Sequence, residues 1–198
     1  MPSSPVPSSI ARLRGKGGRY HHGNLRGALI VAAAGLLETE GEAGLTLRAL
    51  ADRAGVSRAA PYRHFADKEA LLATLAGEGF RVLDREMERA AAMETTAPGR
   101  LRAMARAYVA FAQRYHRMFR LMFAGAADPE GRGSGQLRRR LSDAVAGMGS
   151  ATDGMTAMTA WSLIHGLAAL ALDSPVVAEA ARAPNVDGVV DLLIGGIG

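Results

Sequence analysis

Apolar residues recur at spacings of three and four along most of the chain, and no stretch alternates between apolar and polar as a half-buried strand does. The pattern predicts an all-α protein of about nine helices. The first runs from Asn24 to near Glu40-Gly41 and buries the apolar run Ala28–Leu37. A second begins at Thr46, a suitable N-cap, and places Leu47, Leu50, Ala51 and Ala54 on one face. Gly55 stands where a left-handed C-terminal cap is favoured, and Val56 fills the corner behind it. Ser57 then caps a third short helix through His64, with Pro61 early enough to cost only the first intrahelical bond. Further helices are predicted at about 67–94, 98–123 with a break near Tyr115-His116, 135–148, 152–173 and 186–196. Pro98, Pro129, Pro175 and Pro184 mark junctions, and Gly125–Gly135 reads as a mobile loop.

Two short helices joined by a glycine turn form a helix-turn-helix, whose second helix lies in the DNA major groove. Its side chains suit that placement. Ser57, Ala59 and Ala60 are small and permit close approach to base edges. Tyr62 and His64 can donate to phosphates or bases, while Arg58 and Arg63 can pair with phosphate or fork onto a guanine. Helix pairs with a glycine turn also occur in many helical proteins that bind no DNA, so geometry alone leaves both readings open.

Charge distribution separates them. Residues 1–66 carry nine Lys/Arg against four Asp/Glu, and residues 67–198 carry fifteen of each. The whole formal excess of +5 therefore sits with the helix-turn-helix, as in a domain that neutralises a nucleic-acid backbone. Arg12, Arg14, Lys16 and Arg19 lie among glycines before any acidic residue. Residues 1–23 thus read as a flexible basic arm, able to add electrostatic affinity or enter a minor groove, or serving as a solubilising tail.

The ordered segment Ala51, Gly55-Val56-Ser57-Arg58-Ala59, Tyr62-Arg63-His64-Phe65, Lys68-Glu69-Ala70-Leu71-Leu72 closely resembles the DNA-binding domain of the TetR family of bacterial transcriptional regulators. The resemblance covers roughly Asn24 to Leu72. It implies DNA contacts from Thr46, Arg48, Ser57, Arg58, Ala59, Ala60, Tyr62, Arg63, His64 and Lys68. Lys68 falls where the family places a phosphate-contacting lysine, just after the N-cap Asp67. Ala59 stands where the family often has glycine, and Pro61 where it often has leucine; both affect how the recognition helix sits. The run Trp161 to Leu167 resembles a tryptophan–histidine–glycine motif in the C-terminal domain of one TetR subfamily.

The division expected is an arm at 1–23, a helix-turn-helix domain at 24–69, and a helical ligand-binding and dimerisation domain at 70–198. Met104, Tyr108, Phe111, Met118 and Met122 recur at helical spacing, and Trp161 and His165 share a face of a later helix. Met and aromatic side chains make an adaptable lining for a small apolar effector, anchored by Tyr108, Trp161 and His165; each taken singly also fits ordinary core packing. Homodimerisation is expected through the last two long helices, along Ala157, Ala160, Ile164, Ala168, Ala171 and Leu172 and along Val186, Val189, Val190, Leu193, Ile194 and Ile197. The resemblance implies a repressor released from its operator when the effector shifts the helix opening at Asp67. The alternative is a regulator answering to a protein partner, or an activator, without small-molecule input.

Composition removes other classes. There is no cysteine, which excludes disulfides and thiol chemistry. No nucleophile–base pair, phosphate loop or metal spacing occurs, and His165 with Asp173 makes no catalytic site. No enzyme activity, metal or cofactor is expected. Ala28–Leu37 is too short to span a bilayer, and His165 is taken to interrupt Leu163–Leu172. A cytoplasmic protein without membrane association is expected.

Overall fold

The computed structural model describes residues 24–125, 131–146, 154–181 and 183–197, together with Ile10 and Asp128. Apart from Ile10, the basic arm, with His21 and His22, lies outside the described residues, as does part of the expected loop at Gly125–Gly135. Among the described residues there are nine α-helices, one 3-10 turn and no strand. They are α1 (Leu25–Gly44), α2 (Leu47–Ala54), the 3-10 turn Pro61–Arg63, α3 (Lys68–Ala92), α4 (Ala97–Arg114), α5 (His116–Phe123), α6 (Arg132–Ala146), α7 (Gly154–Asp173), α8 (Pro175–Ala180) and α9 (Ala183–Ile197).

Local chemistry accounts for most of the boundaries. Asn24 caps α1 by accepting from Gly27 N at 3.0 Å. The α1 path breaks at Gly41, whose φ of 76° is open to glycine at little cost. Tyr115 separates α4 from α5 at the expected break. Three prolines mark junctions, as expected. Pro98, Pro175 and Pro184 lie within the first turns of α4, α8 and α9, where the missing N–H costs nothing. Helix α8 was not anticipated: Pro175 reads as a stop, yet Ser174 caps it, accepting from Val177 N at 3.4 Å.

The chain divides into two compact units, and the division does not follow the expected cut at residue 69. The first holds the described residues of Met1–Val82 and Tyr115–Glu130; the second holds those of Leu83–Arg114 and Gly131–Gly198. In the first, Leu29, Ile30, Ala33 and Leu37 of α1 are buried with Leu50, Phe65, Leu71, Leu75 and Phe80. Helix α5 belongs here because Met118 and Met122 press onto α3 at Gly79. A Cβ on Gly79 would fall 2.6 Å from Met122 Sδ. Phe80 meets Phe123 edge-on, with ring centroids 5.3 Å apart.

In the second unit α4 packs against α6, α7 and α9, and α8 packs against α7. Arg106 pairs with Asp187 at 2.8 Å and Arg102 with Asp191 at 2.6 Å, tying α9 to α4. The stripes expected to form a dimer interface lie largely inside this unit. Ala160, Ile164, Ala168 and Ala171 of α7 and Val186, Val190 and Leu193 of α9 are buried. The apolar face left open is a different one. Leu163, Leu170 and Leu192 are 37%, 61% and 79% exposed. Gly166, Gly188 and Gly195 accompany them, with no atom within 4 Å of where a Cβ would stand. Met155–Asp173 also passes, by length and composition alone, as long and apolar enough to cross a membrane (mean hydropathy 1.4), so His165 does not interrupt it as expected.

Candidate functional site

The helix-turn-helix forms around cap and turn chemistry. Thr46 Oγ1 accepts from Ala49 N at 3.0 Å and starts α2. Gly55 ends it in the left-handed region (φ 67°, ψ 36°), and Val56 N reaches back to the Ala51 carbonyl at 3.0 Å. The next segment corrects the sequence reading. Residues 58–60 form turns and Pro61–Arg63 a 3-10 helix, in place of an α-helix capped by Ser57. Pro61 has no N–H for the Ser57 carbonyl, which accepts instead from Ala60 N at 2.9 Å. The tighter winding continues through Arg63 N to Ala60 O (3.2 Å) and His64 N to Pro61 O (2.9 Å).

This winding sorts the side chains sharply. Pro61 and Phe65 are buried as pins, and the Arg26 guanidinium lies 5.6 Å above the Phe65 ring. Ser57, Arg58, Ala59, Tyr62, Arg63 and His64 are exposed, Tyr62 by 60%, and Ala60 is half-buried. Thr46 and Arg48 are exposed at the start of α2. The expected DNA-contact residues therefore form an accessible basic and hydrogen-bonding surface. Lys68 is placed differently from a free phosphate contact. Asp67 caps α3 through Ala70 N at 2.7 Å, as expected, but Lys68 Nζ donates to the Glu42 carbonyl at 2.7 Å.

A buried clamp beneath this surface was not foreseen. Glu38 of α1 accepts from Met118 N, in the first turn of α5, at 2.9 Å. Arg117 donates back to the carbonyls of Leu37 and Glu38 at 3.4 and 3.0 Å. Burial raises the Glu38 carboxyl above its ordinary range, against the opposing effects of the Met118 N–H, His116 and Arg117. The folded chain thus holds the Glu38 proton more tightly than the unfolded chain. Its contribution to stability is fullest below pH 4.5 and falls as pH rises through the raised value. Glu38→Gln, which keeps the acceptor, is expected to flatten that slope and to raise the melting temperature near neutral pH. Glu38→Ala leaves the Met118 N–H unpaired and is expected to cost about 1–3 kcal/mol in urea titrations.

In the second unit the structure brings together the three expected anchors. Tyr108 Oη lies 2.8 Å from His165 Nδ1, and Trp161 stacks on the His165 ring at 5.0 Å. Burial pushes the Tyr108 phenol well up, with Trp161 opposing, and lowers the His165 imidazole. The phenol is accordingly protonated and the imidazole neutral, and the two share a hydrogen bond. Trp161 Nε1 is buried beside the Tyr108 phenol and makes no hydrogen bond of ordinary geometry. Met104 and Phe111 are buried on α4, but Met118 and Met122 belong to the first unit's core. A cleft of about 470 Å³ is lined by Met104 and Ala144 together with Arg100, Gln136, Arg139, Arg140 and Asp143. A second groove, of about 250 Å³, lies between α6 and α7. These residues escaped the sequence reading, although the run Arg138-Arg139-Arg140 signalled them. Among the described residues no three His, Asp or Glu gather to hold a metal.

Comparison with known proteins agrees with this anatomy. Residues 29–75 match the bacterial regulatory proteins of the tetR family, and residues 101–196 match a tetracyclin repressor-like C-terminal domain. The chain is 28% identical over 162 residues to the HTH-type transcriptional activator FasR of Mycolicibacterium smegmatis, covering 80% of this chain and 74% of that one. A solved protein of unknown function from Rhodococcus sp. RHA1 is 35% identical, with a TM-score of 0.73 over 91% of this chain and 99% of its own. The regulator PfmR of Thermus thermophilus shares the fold at 21% identity, with a TM-score of 0.62 over 82% of this chain and 97% of its own.

Proposed function

Because the chain belongs to the TetR family of bacterial regulatory proteins, non-enzymatic DNA-binding transcriptional regulators, we infer that it is an effector-controlled repressor acting as a homodimer in the cytoplasm. The observation that carries the reading is the exposed set Arg58, Tyr62, Arg63 and His64, held out by the buried pins Pro61 and Phe65. Recognition elements of this size read few base pairs, so two of them are set at half-site spacing by a two-fold dimer. The open apolar face of α7 and α9, rather than the inner stripes, supports the dimer contact. Glycines along it let a second copy's helices come close.

The effector site is assigned to the Tyr108–His165–Trp161 cluster, where the orphaned Trp161 Nε1 offers a donor to a ligand. The same tryptophan, histidine and glycine support membership of the subfamily carrying that motif. Effector binding shifts α3, whose first turn carries Lys68, and a tenfold fall in DNA affinity needs about 1.4 kcal/mol of coupling. One observation favours activation instead: the FasR relative is named an activator. The two readings part in a transcription assay, since deleting the protein raises output from a repressed promoter and lowers it from an activated one.

The direct test is fluorescence anisotropy with DNA lying immediately upstream of the gene, at several salt concentrations. Nanomolar, competitor-resistant binding is expected. Tyr62→Ala is expected to weaken it about tenfold, roughly 1.4 kcal/mol, with an unchanged circular dichroism spectrum. Unchanged affinity would remove the Pro61–Arg63 segment as the reading element.

A further inference from the structure

We propose that the groove between α6 and α7 binds the oxyanion end of a small amphipathic molecule, through Arg138, Arg139 and Ser142. Arg138 and Arg139 stand three and four residues after Gly135, and Ser142 four and three after them, so all four share one face of α6. Across the groove stand Ala157 and Met158 of α7. One wall is thus cationic and hydroxylic, and the other apolar.

The two guanidiniums converge. A Cβ on Gly135 would lie 3.6 Å from Arg139 Nη1 and 3.8 Å from Arg138 Nη2. The missing side chain leaves a space that both arginines overlook. Among the described residues neither has a hydrogen bond or an ion pair. Asp143, the one carboxylate of α6, lines the neighbouring cleft and is absent from this groove's wall. Two like charges brought to one point repel each other, and an anion between them removes the repulsion and satisfies both forks.

Arg138 is held ready for this by Trp161. Its guanidinium carbon lies 5.7 Å from the indole centroid, a cation–π contact that consumes none of its N–H donors. Ser142 adds a hydroxyl one turn further along. The groove volume of about 250 Å³ equals roughly eight water molecules at liquid density, a fit for a short-chain organic acid or phosphate monoester. Its hydrocarbon part rests on Met158, which is 43% exposed. The groove adjoins the Tyr108 cluster through Trp161 but shares no other lining residue with it, and binding does not depend on operator control.

Calorimetry on the full chain with hexanoate, hexyl phosphate and hexanol tests the proposal, with fluorescence of the sole tryptophan as a second readout. One anion per chain is expected to bind at least tenfold more tightly than hexanol and to shift Trp161 emission as Arg138 moves. Tighter binding of hexanoate or of hexyl phosphate identifies the oxyanion preferred. Arg139→Gln, at an exposed position, is expected to lower anion affinity at least tenfold without altering the circular dichroism spectrum. Hexanol binding as tightly as the anions, an unaffected Arg139→Gln variant, or no binding of either anion overturns the site. Anion binding that leaves operator anisotropy unchanged supports the site while denying it the effector role.

Discussion

Replacing Leu170 and Leu192 together by glutamate is expected to make the protein monomeric and to lower its operator affinity at least about a hundredfold. Both side chains point out of the second unit, 61% and 79% exposed, so the charges burden neither core. They stand where a partner's helices would close over Leu163, Gly166, Gly188 and Gly195, and an unpaired carboxylate buried there costs several kcal/mol. Linked half-sites bind far more tightly than separate ones because the second contact is intramolecular, and that advantage disappears with the dimer. Sedimentation equilibrium and anisotropy on the same preparation check both parts. A variant that remains dimeric would place the contact on another face.

The second large effect is expected from Phe65→Ala. Phe65 is almost wholly buried under Arg26 and closes the turn that Pro61 begins. Removing its ring from a packed site costs about 3–5 kcal/mol, a large share of the roughly 5–15 kcal/mol available to a domain. The loss is expected in the urea midpoint of the first unit, with the transition of the second unit unmoved. Operator binding weakens in parallel because Tyr62 and Arg63 lose the floor that presents them. Phe65→Leu, which keeps an apolar plug, is expected to lose less of both. Equal midpoints for Phe65→Ala and the parent chain would show that the ring contributes nothing to the unit.

What could be read from the residue order is what depends on near neighbours. Asn24, Thr46 and Asp67 act as caps, Gly55 adopts the left-handed cap, and the chain breaks at Gly41 and Tyr115, because each depends on a few adjacent residues. Pro61 was legible as tolerable but not in its effect. One absent N–H shifts the neighbouring carbonyl bonds to three-residue spacing, so the helix tightens instead of simply losing a bond. The stripe read as an interface is largely buried within the second unit, for a physical reason. Helix α7 is apolar around most of its circumference, and periodicity then identifies no inner face. That Met118 and Met122 join the first unit was not legible, because proximity in sequence says nothing about which unit a helix joins. Tyr108, Trp161 and His165 were brought together as expected, since tyrosine and tryptophan need polar company when buried.

The interleaving of α5 has a consequence for how such regulators can be recombined. The unit that carries the reading surface is built from two separated stretches of chain, and its second stretch sits between elements of the other unit. A chimaera spliced at Val82, the end of the first stretch, would transplant Glu38 and Gly79 without the Met118 N–H and the methionine side chains that cover them. Operator specificity in this protein is therefore not a portable cassette. A graft that keeps its fold must carry both stretches, and the passage from His116 to Phe123 has to travel with the DNA reader.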